Sequence, residues 1–129
     1  MNCIHQSLFF PIILASLLMV IWLSSPNADA CMPKNPKIGV YQSVEFNSSY
    51  PSNGRNYSVI IGTSAFDLLG KRFYVDASLR NGGFAVNGIN NVYPRANQTW
   101  QFSVNSVKSN VSATSYLLQA NDTILWFMA

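Results

Sequence analysis

The chain has 129 residues, of which 49% are hydrophobic and only 10% charged, with a formal net charge of +3. That is room for one domain, and too apolar a balance for a disordered chain. A multidomain enzyme does not fit in this length.

In chain order, the apolar excess is concentrated at the start, where Leu8 to Leu23 (LFFPIILASLLMVIWL) is almost unbroken hydrocarbon. At about 1.5 Å rise per residue this run makes roughly 24 Å of helix, short of the ~30 Å hydrocarbon layer of a bilayer. The polar Ser24 to Asn27 and the small-x-small Ala28-Asp29-Ala30 come next, as a signal peptidase requires. Residues 1–30 are therefore expected to be a signal peptide, leaving a secreted, extracellular protein with no stable membrane span after cleavage. Cys3 would leave with it, so Cys31 remains alone and no internal disulfide can form. Cys31 then sits on a frayed terminus or makes an intermolecular bridge.

Residues 31–37 (CMPKNPK) carry two prolines and suit an extended N-terminal lead-in. From residue 38 to 129 we expect one domain. Val40, Val44 and Phe46 share a parity within Ile38 to Phe46, which predicts a strand. Asn47 to Asn56 is turn-rich, and the alternation of Tyr57, Val59 and Ile61 predicts a second strand paired with the first. Gly62-Thr63-Ser64 breaks it. Ser64 and Asp67 can bond reciprocally at a helix start, and Phe66, Leu69 and Phe73, with Ala65 and Leu68, give that helix one apolar face. Gly70 predicts that it is short. Lys71 and Arg72 fall at its negative end.

Downstream, Gly82-Gly83 precedes a strand with Phe84 and Val86, and Trp100, Phe102 and Val104 share one face of another. A meander is implied, closed by a hairpin of Tyr116 to Leu118 with Ile124 to Met128 across a turn at Gln119 to Asp122. The expected fold class is α+β, a β-grasp-like roll of five to seven strands with one short helix packed on the sheet.

After the leader, eight bases face four acids (Glu45, Asp67, Asp76, Asp122). The bases are scattered singly except for Lys71-Arg72, without the basic-aromatic interleaving of a phosphate-tracking groove, so nucleic acid is not an expected partner. N-x-[ST] triplets at Asn47, Asn56, Asn97 and Asn110 are glycosylation candidates, whereas Asn121, within a tight turn, reads as a turn residue.

The only histidine is His5, inside the leader, so a Ser-His-Asp or Cys-His arrangement is impossible. One Cys and four separated acids cannot supply a zinc or copper site, and no metal site is expected. Two carboxylates could still serve a glycosidase. With Asp67 capping a helix and Asp122 in a turn, however, an enzyme is not expected. The aromatic load of the last third (Phe84, Tyr93, Trp100, Phe102, Tyr116, Trp126, Phe127) is either sheet core or a platform for a large flat ligand.

The stretch Asn87-Gly88-Ile89-Asn90-Asn91-Val92, succeeded after a short loop by Thr99-Trp100-Gln101-Phe102, resembles the N-G-I…[YT]-W-Q-[FL] pattern of the transcobalamin and intrinsic factor family, in its C-terminal β-domain. Gly62-Thr63-Ser64-Ala65-Phe66-Asp67-Leu68-Leu69 is similar to the G-T-S-x-x-x-x-L start of that domain's helix, and Asp122-Thr123-Ile124 to its closing strand. The resemblance runs from about Lys37 to Ala129. It implies a single-domain form of these secreted cobalamin carriers, with cobalamin as carried ligand rather than cofactor, serving cobalamin binding and transport. Carried onto matching positions, the expected contacts are Asn87, Gly88, Ile89, Trp100, Gln101 and Phe102. Trp100 and Phe102 share one strand face and Gln101 the other, so at least one contact would have to be through backbone.

The family's helical barrel has no counterpart in this sequence. A lone β-domain is expected to cover one side of a corrinoid, the other being supplied by a separate helical carrier domain or a second copy. Where related single-domain modules have Gly after the Asn of a V-N-G turn, this chain has Ser106, so Asn105 itself would have to carry any positive φ. The alternative is a glycosylated extracellular interaction domain without vitamin binding. A third reading, a small glycosidase-like enzyme, is not favoured.

Overall fold

The computed structural model of the chain describes residues 34–47 and 53–129. The expected signal peptide, its cleavage point and Cys31 lie outside the described residues. Asn35–Ala129 form one compact unit.

Seven strands and one helix are described: β1 (Lys37–Val44), β2 (Arg55–Ile60), α1 (Ala65–Gly70), β3 (Val75–Arg80), β4 (Gly83–Ile89), β5 (Trp100–Val104), β6 (Val107–Lys108) and β7 (Thr123–Met128). Five form a sheet in the order β2-β1-β7-β5-β6, and β3 and β4 form a separate two-stranded sheet. The first and last strands are parallel neighbours, from Tyr41 opposite Thr123 to Val44 opposite Trp126. All other pairs are antiparallel. A mixed sheet with first and last strands side by side is the α+β, β-grasp-like roll that the sequence predicts.

The apolar residues of the larger sheet supply most of the core, although burial in β1 and β5 also takes in the polar Gln42, Ser43 and Ser103. Val40 and Val44 of β1, Val59 of β2, Phe102 of β5 and Ile124 and Trp126 of β7 are all buried. They join Ala65, Leu68, Leu69 and Phe73 of the helical segment in one core. At about 25 cal/mol per Å² of apolar area, such contiguous burial is what holds a disulfide-free domain of this size.

The helix starts where the sequence places it. Ser64 Oγ accepts from the Asp67 backbone N–H at 3.1 Å, and Asp67 Oδ2 accepts from the Ser64 N–H at 3.3 Å. This reciprocal cap satisfies donors that a helix start leaves orphaned. The helix has only six residues and Lys71 is its C-cap.

Two expectations are corrected. Tyr116 to Leu118 is not a strand of a terminal hairpin. Its backbone serves the helix start instead: Ala65 N–H donates to Tyr116 O at 3.0 Å and Leu118 N–H to Thr63 O at 2.9 Å. The turn at Gln119 to Asp122 does form, with Asp122 N–H donating to Gln119 O at 3.2 Å. The chain leaving this turn is handed to β1, because Asn121 N–H donates to Gly39 O and Tyr41 N–H donates to Asp122 O, each at 2.8 Å. Both edges of β7 are thereby taken by β1 and β5. The meander fails for the same reason, since the last strand is inserted mid-sheet and β3–β4 stand apart.

Candidate functional site

β4 of the small sheet approaches β5 of the large one, and between them lies a cleft of about 650 Å³. The floor is aromatic: Trp100, Phe102 and Trp126 line it while being 6%, 5% and 1% exposed. Pairing of Phe102 opposite Trp126 puts both rings on one face, with centroids 5.1 Å apart and planes tilted by 31°. Trp100 is fixed by its Nε1–H, which donates to Val92 O at 3.1 Å. Trp126 differs, because its buried Nε1–H has no acceptor among the described residues. A buried donor without a partner is uncommon and calls for a cause.

The walls carry rings that remain open to solvent. Phe84 is 44% exposed and Tyr93 52%. Phe84 is braced from behind by Phe66, centroids 5.7 Å apart and nearly parallel at 19°. Tyr93 lies on Gly88, where a Cβ would stand 2.6 Å from Tyr93 Cε1. Only a glycine lets the ring settle there. Asp76 accepts the Tyr93 hydroxyl, which holds the phenol above its ordinary pKa, with lesser help from burial and from the charge of Asp76.

Of the six contacts carried over from the family pattern, Asn87, Trp100, Gln101 and Phe102 line this cleft together. Gly88 and Ile89 do not; Ile89 is fully buried in the core and Gly88 is buried beneath Tyr93. Asn87 Oδ1 accepts from Ser78 Oγ at 3.1 Å, which orients it across the small sheet. Gln101 pairs opposite Phe127, on the other sheet face from Trp100 and Phe102. Its Nε2 donates to Thr99 Oγ1 at 3.1 Å. What Gln101 offers the cleft is therefore its backbone.

Sequence patterns do not single out Arg80 and Lys108, which are the charged residues lining the cleft. Both occupy strand ends far apart in the sequence, so only the folded topology brings them to one site. A second hollow of about 800 Å³ lies at the C-terminal ends of the parallel strands β1 and β7. It shares Tyr93 and Gln98 with the cleft and carries one charge of each sign, Glu45 and Arg95.

Among the described residues, no three His, Cys, Asp or Glu side chains cluster closely enough to hold a metal ion. No described helix is long and apolar enough to cross a membrane. The sequon asparagines Asn47, Asn56, Asn97 and Asn110 are all exposed, as is Asn121.

Residues 62–128, just over half of the chain, match the family model described as "Domain of unknown function (DUF4430)". No curated protein matches. Among solved structures, haptocorrin in complex with Cbi is similar, with a TM-score of 0.63 at 17% identity, over 80% of this chain and 28% of that one. A protein from Ruminococcus gnavus ATCC 29149, provisionally described as metal binding, gives 0.58 at 10% identity, over 71% of this chain and 96% of that one. The chain thus spans little more than a quarter of haptocorrin's length. At such identities the likeness establishes the fold alone, one shared with part of haptocorrin.

Proposed function

The chain belongs to the DUF4430 family, and we propose that it is a secreted, non-enzymatic corrinoid-binding module, a relative of the C-terminal β-domain of transcobalamins. It covers one side of its ligand, and a separate helical domain or a second copy covers the other.

The observation that carries this reading is the cleft between the two sheets. Its floor of Trp100, Phe102 and Trp126 and its exposed rings Phe84 and Tyr93 form an apolar, aromatic concavity of the kind that takes a large flat ligand. The haptocorrin likeness supports the choice of a corrinoid among flat ligands. Because Trp100 and Phe102 are floor and not shelf, the stacking surface belongs to Phe84 and Tyr93. Asn87 and the Gln101 backbone provide the polar contacts that fix orientation. An open cleft buries less of its ligand than an enclosed pocket, so unaided binding is weaker than in a complete carrier.

The test uses visible absorbance. The full chain is incubated with cyanocobalamin, freed of unbound vitamin by gel filtration, and the corrin band is sought in the protein peak. Retention, with loss on Tyr93→Ala or Phe84→Ala at unchanged circular dichroism, is expected. An empty peak from an intact fold would sink the proposal and favour an interaction domain without vitamin binding.

A further inference from the structure

The two hollows differ in charge. The larger one, at the ends of β1 and β7, is balanced by Glu45 and Arg95. The inter-sheet cleft is not: Arg80 at the end of β3 and Lys108 at the end of β6 line it, and among the described residues no Asp or Glu does. Both side chains are exposed, and among the described residues neither forms an ion pair or a side-chain hydrogen bond. Their charges are therefore uncommitted. Thr99, Gln101, Ser109 and Ser112 add neutral polar groups to the lining, and the carboxylate that approaches it, Asp76, is engaged by the Tyr93 hydroxyl.

We propose that this cleft selects, among large flat macrocycles, those that carry an anionic arm, with the ring against Phe84 and Tyr93 and the arm against Arg80 and Lys108. For the ring this rests on the corrinoid reading. For the arm it rests on cleft charge alone. Cations around a concavity with low-dielectric walls attract the complementary ligand and reject a neutral analogue less well matched to them. Guanidinium and ammonium groups suit both phosphodiester and carboxylate oxygens. Two sources of the same chemistry thus qualify. One is the nucleotide phosphodiester of a complete corrinoid, which cobinamide lacks. The other is the carboxylate pair of a porphyrin.

The experiment is equilibrium dialysis of the full chain at low and high salt against four probes: cyanocobalamin, dicyanocobinamide, zinc protoporphyrin IX and the dimethyl ester of that porphyrin. The variants are Arg80→Gln, Lys108→Gln, their double, and Lys71→Gln as an exposed control at the helix C-cap. Cyanocobalamin is expected to bind roughly tenfold more tightly than dicyanocobinamide at low salt, the gap to narrow at high salt and in the double variant, and Lys71→Gln to behave as the parent. If both corrinoids bind alike, or if their gap survives in the double variant, the inference is overturned while the corrinoid reading stands. If neither corrinoid binds but the porphyrin diacid does, its ester does not, and the double variant abolishes the difference, anion selection stands and the corrinoid reading falls. If no probe is retained, both fall.

Discussion

Asn105 and Asp122 lock the ends of β5 and β7 together: Asn105 Nδ2–H donates to Asp122 Oδ1 at 3.1 Å, and Asn105 Oδ1 accepts from Thr123 N–H at 2.8 Å. The other oxygen of Asp122 accepts from the Tyr116 hydroxyl at 2.8 Å and from Gln119 N–H at 2.9 Å. One carboxylate, 4% exposed, thus joins the two strands to the segment that holds the helix start. Asp122→Ala strands three donors at once and should cost on the order of 3 kcal/mol. Urea unfolding midpoints would measure it; a loss below about 0.5 kcal/mol would show that water replaces the carboxylate.

The same cluster sets an alkaline limit. Burial first, and then the bond to Asp122, push the Tyr116 hydroxyl up to about 12 from its ordinary 10. Folded Tyr116 therefore keeps its proton where the unfolded chain loses it. The associated stability is complete below pH 10 and is lost as the pH climbs toward 12, by a few kcal/mol at most. In Tyr116→Phe the unfolding free energy should lose that part of its slope. A variant with an unchanged profile between pH 10 and 12 would assign alkaline unfolding to other groups.

The β5–β6 connection contains a correctable strain. Asn105 and Ser106 have φ of 50° and 70°, the left-handed pair of a two-residue hairpin turn in which Asn-Gly is favoured. Asn tolerates that region; Ser does so less readily. Ser106→Gly should raise stability by about 0.5–1 kcal/mol, seen as a higher melting temperature at constant cleft affinity. A lower melting temperature would mean that the seryl side chain contributes more than its backbone conformation costs.

The features legible in the sequence are those encoded locally. Ser64 and Asp67 announce their cap, alternation announces β1, β2 and β5, and the positive φ at Asn105 is implied by the missing glycine. The hairpin of Tyr116–Leu118 with Ile124–Met128 fails because the partner of β7 is about eighty residues away in β1, and periodicity says which face is buried but not which strand lies alongside. β3 (VDASLR) does carry a period-2 pattern, Val75, Ala77 and Leu79 against Asp76, Ser78 and Arg80, but its burial does not follow that alternation, its residues being half-buried or exposed in a two-stranded sheet apart from the larger one. The cleft is legible in part. Trp100 and Phe102 belong to a strand pattern, but whether such rings form floor or shelf depends on β4 lying over them. Arg80 and Lys108 meet only through the fold.

Gly88 and Tyr93 give a handle on the cleft that leaves the core alone. A methyl group at position 88 would meet the ring at 2.6 Å, and Tyr93, half exposed, is free to swing away. Gly88→Ala should therefore keep the fold, detach the hydroxyl from Asp76, and bring the Tyr93 phenol back down toward its ordinary pKa. Ultraviolet titration of the tyrosines reads this directly, with Tyr93→Phe identifying the group. If Tyr93 titrates identically in Gly88→Ala, its ring is not seated on residue 88 in solution.

Trp126 offers a readout of occupancy that no substitution in the cleft can mimic. Of the three tryptophans in the chain, Trp22 falls within the expected leader, leaving Trp100 and Trp126. Trp100 Nε1–H already donates to Val92 O, so its indole proton resonance should stay put on ligand addition. Trp126 Nε1–H is buried without an acceptor among the described residues, and an acceptor on the bound ligand, or a water trapped by it, would satisfy that donor and move its resonance downfield. Nitrogen-labelled indole spectra of the chain, assigned with Trp100→Phe, should show the Trp126 peak moving and the Trp100 peak stationary during titration with cyanocobalamin. Two stationary peaks at ligand saturation would place the ligand elsewhere, since a cleft floored by Trp126 cannot fill without changing what surrounds that ring.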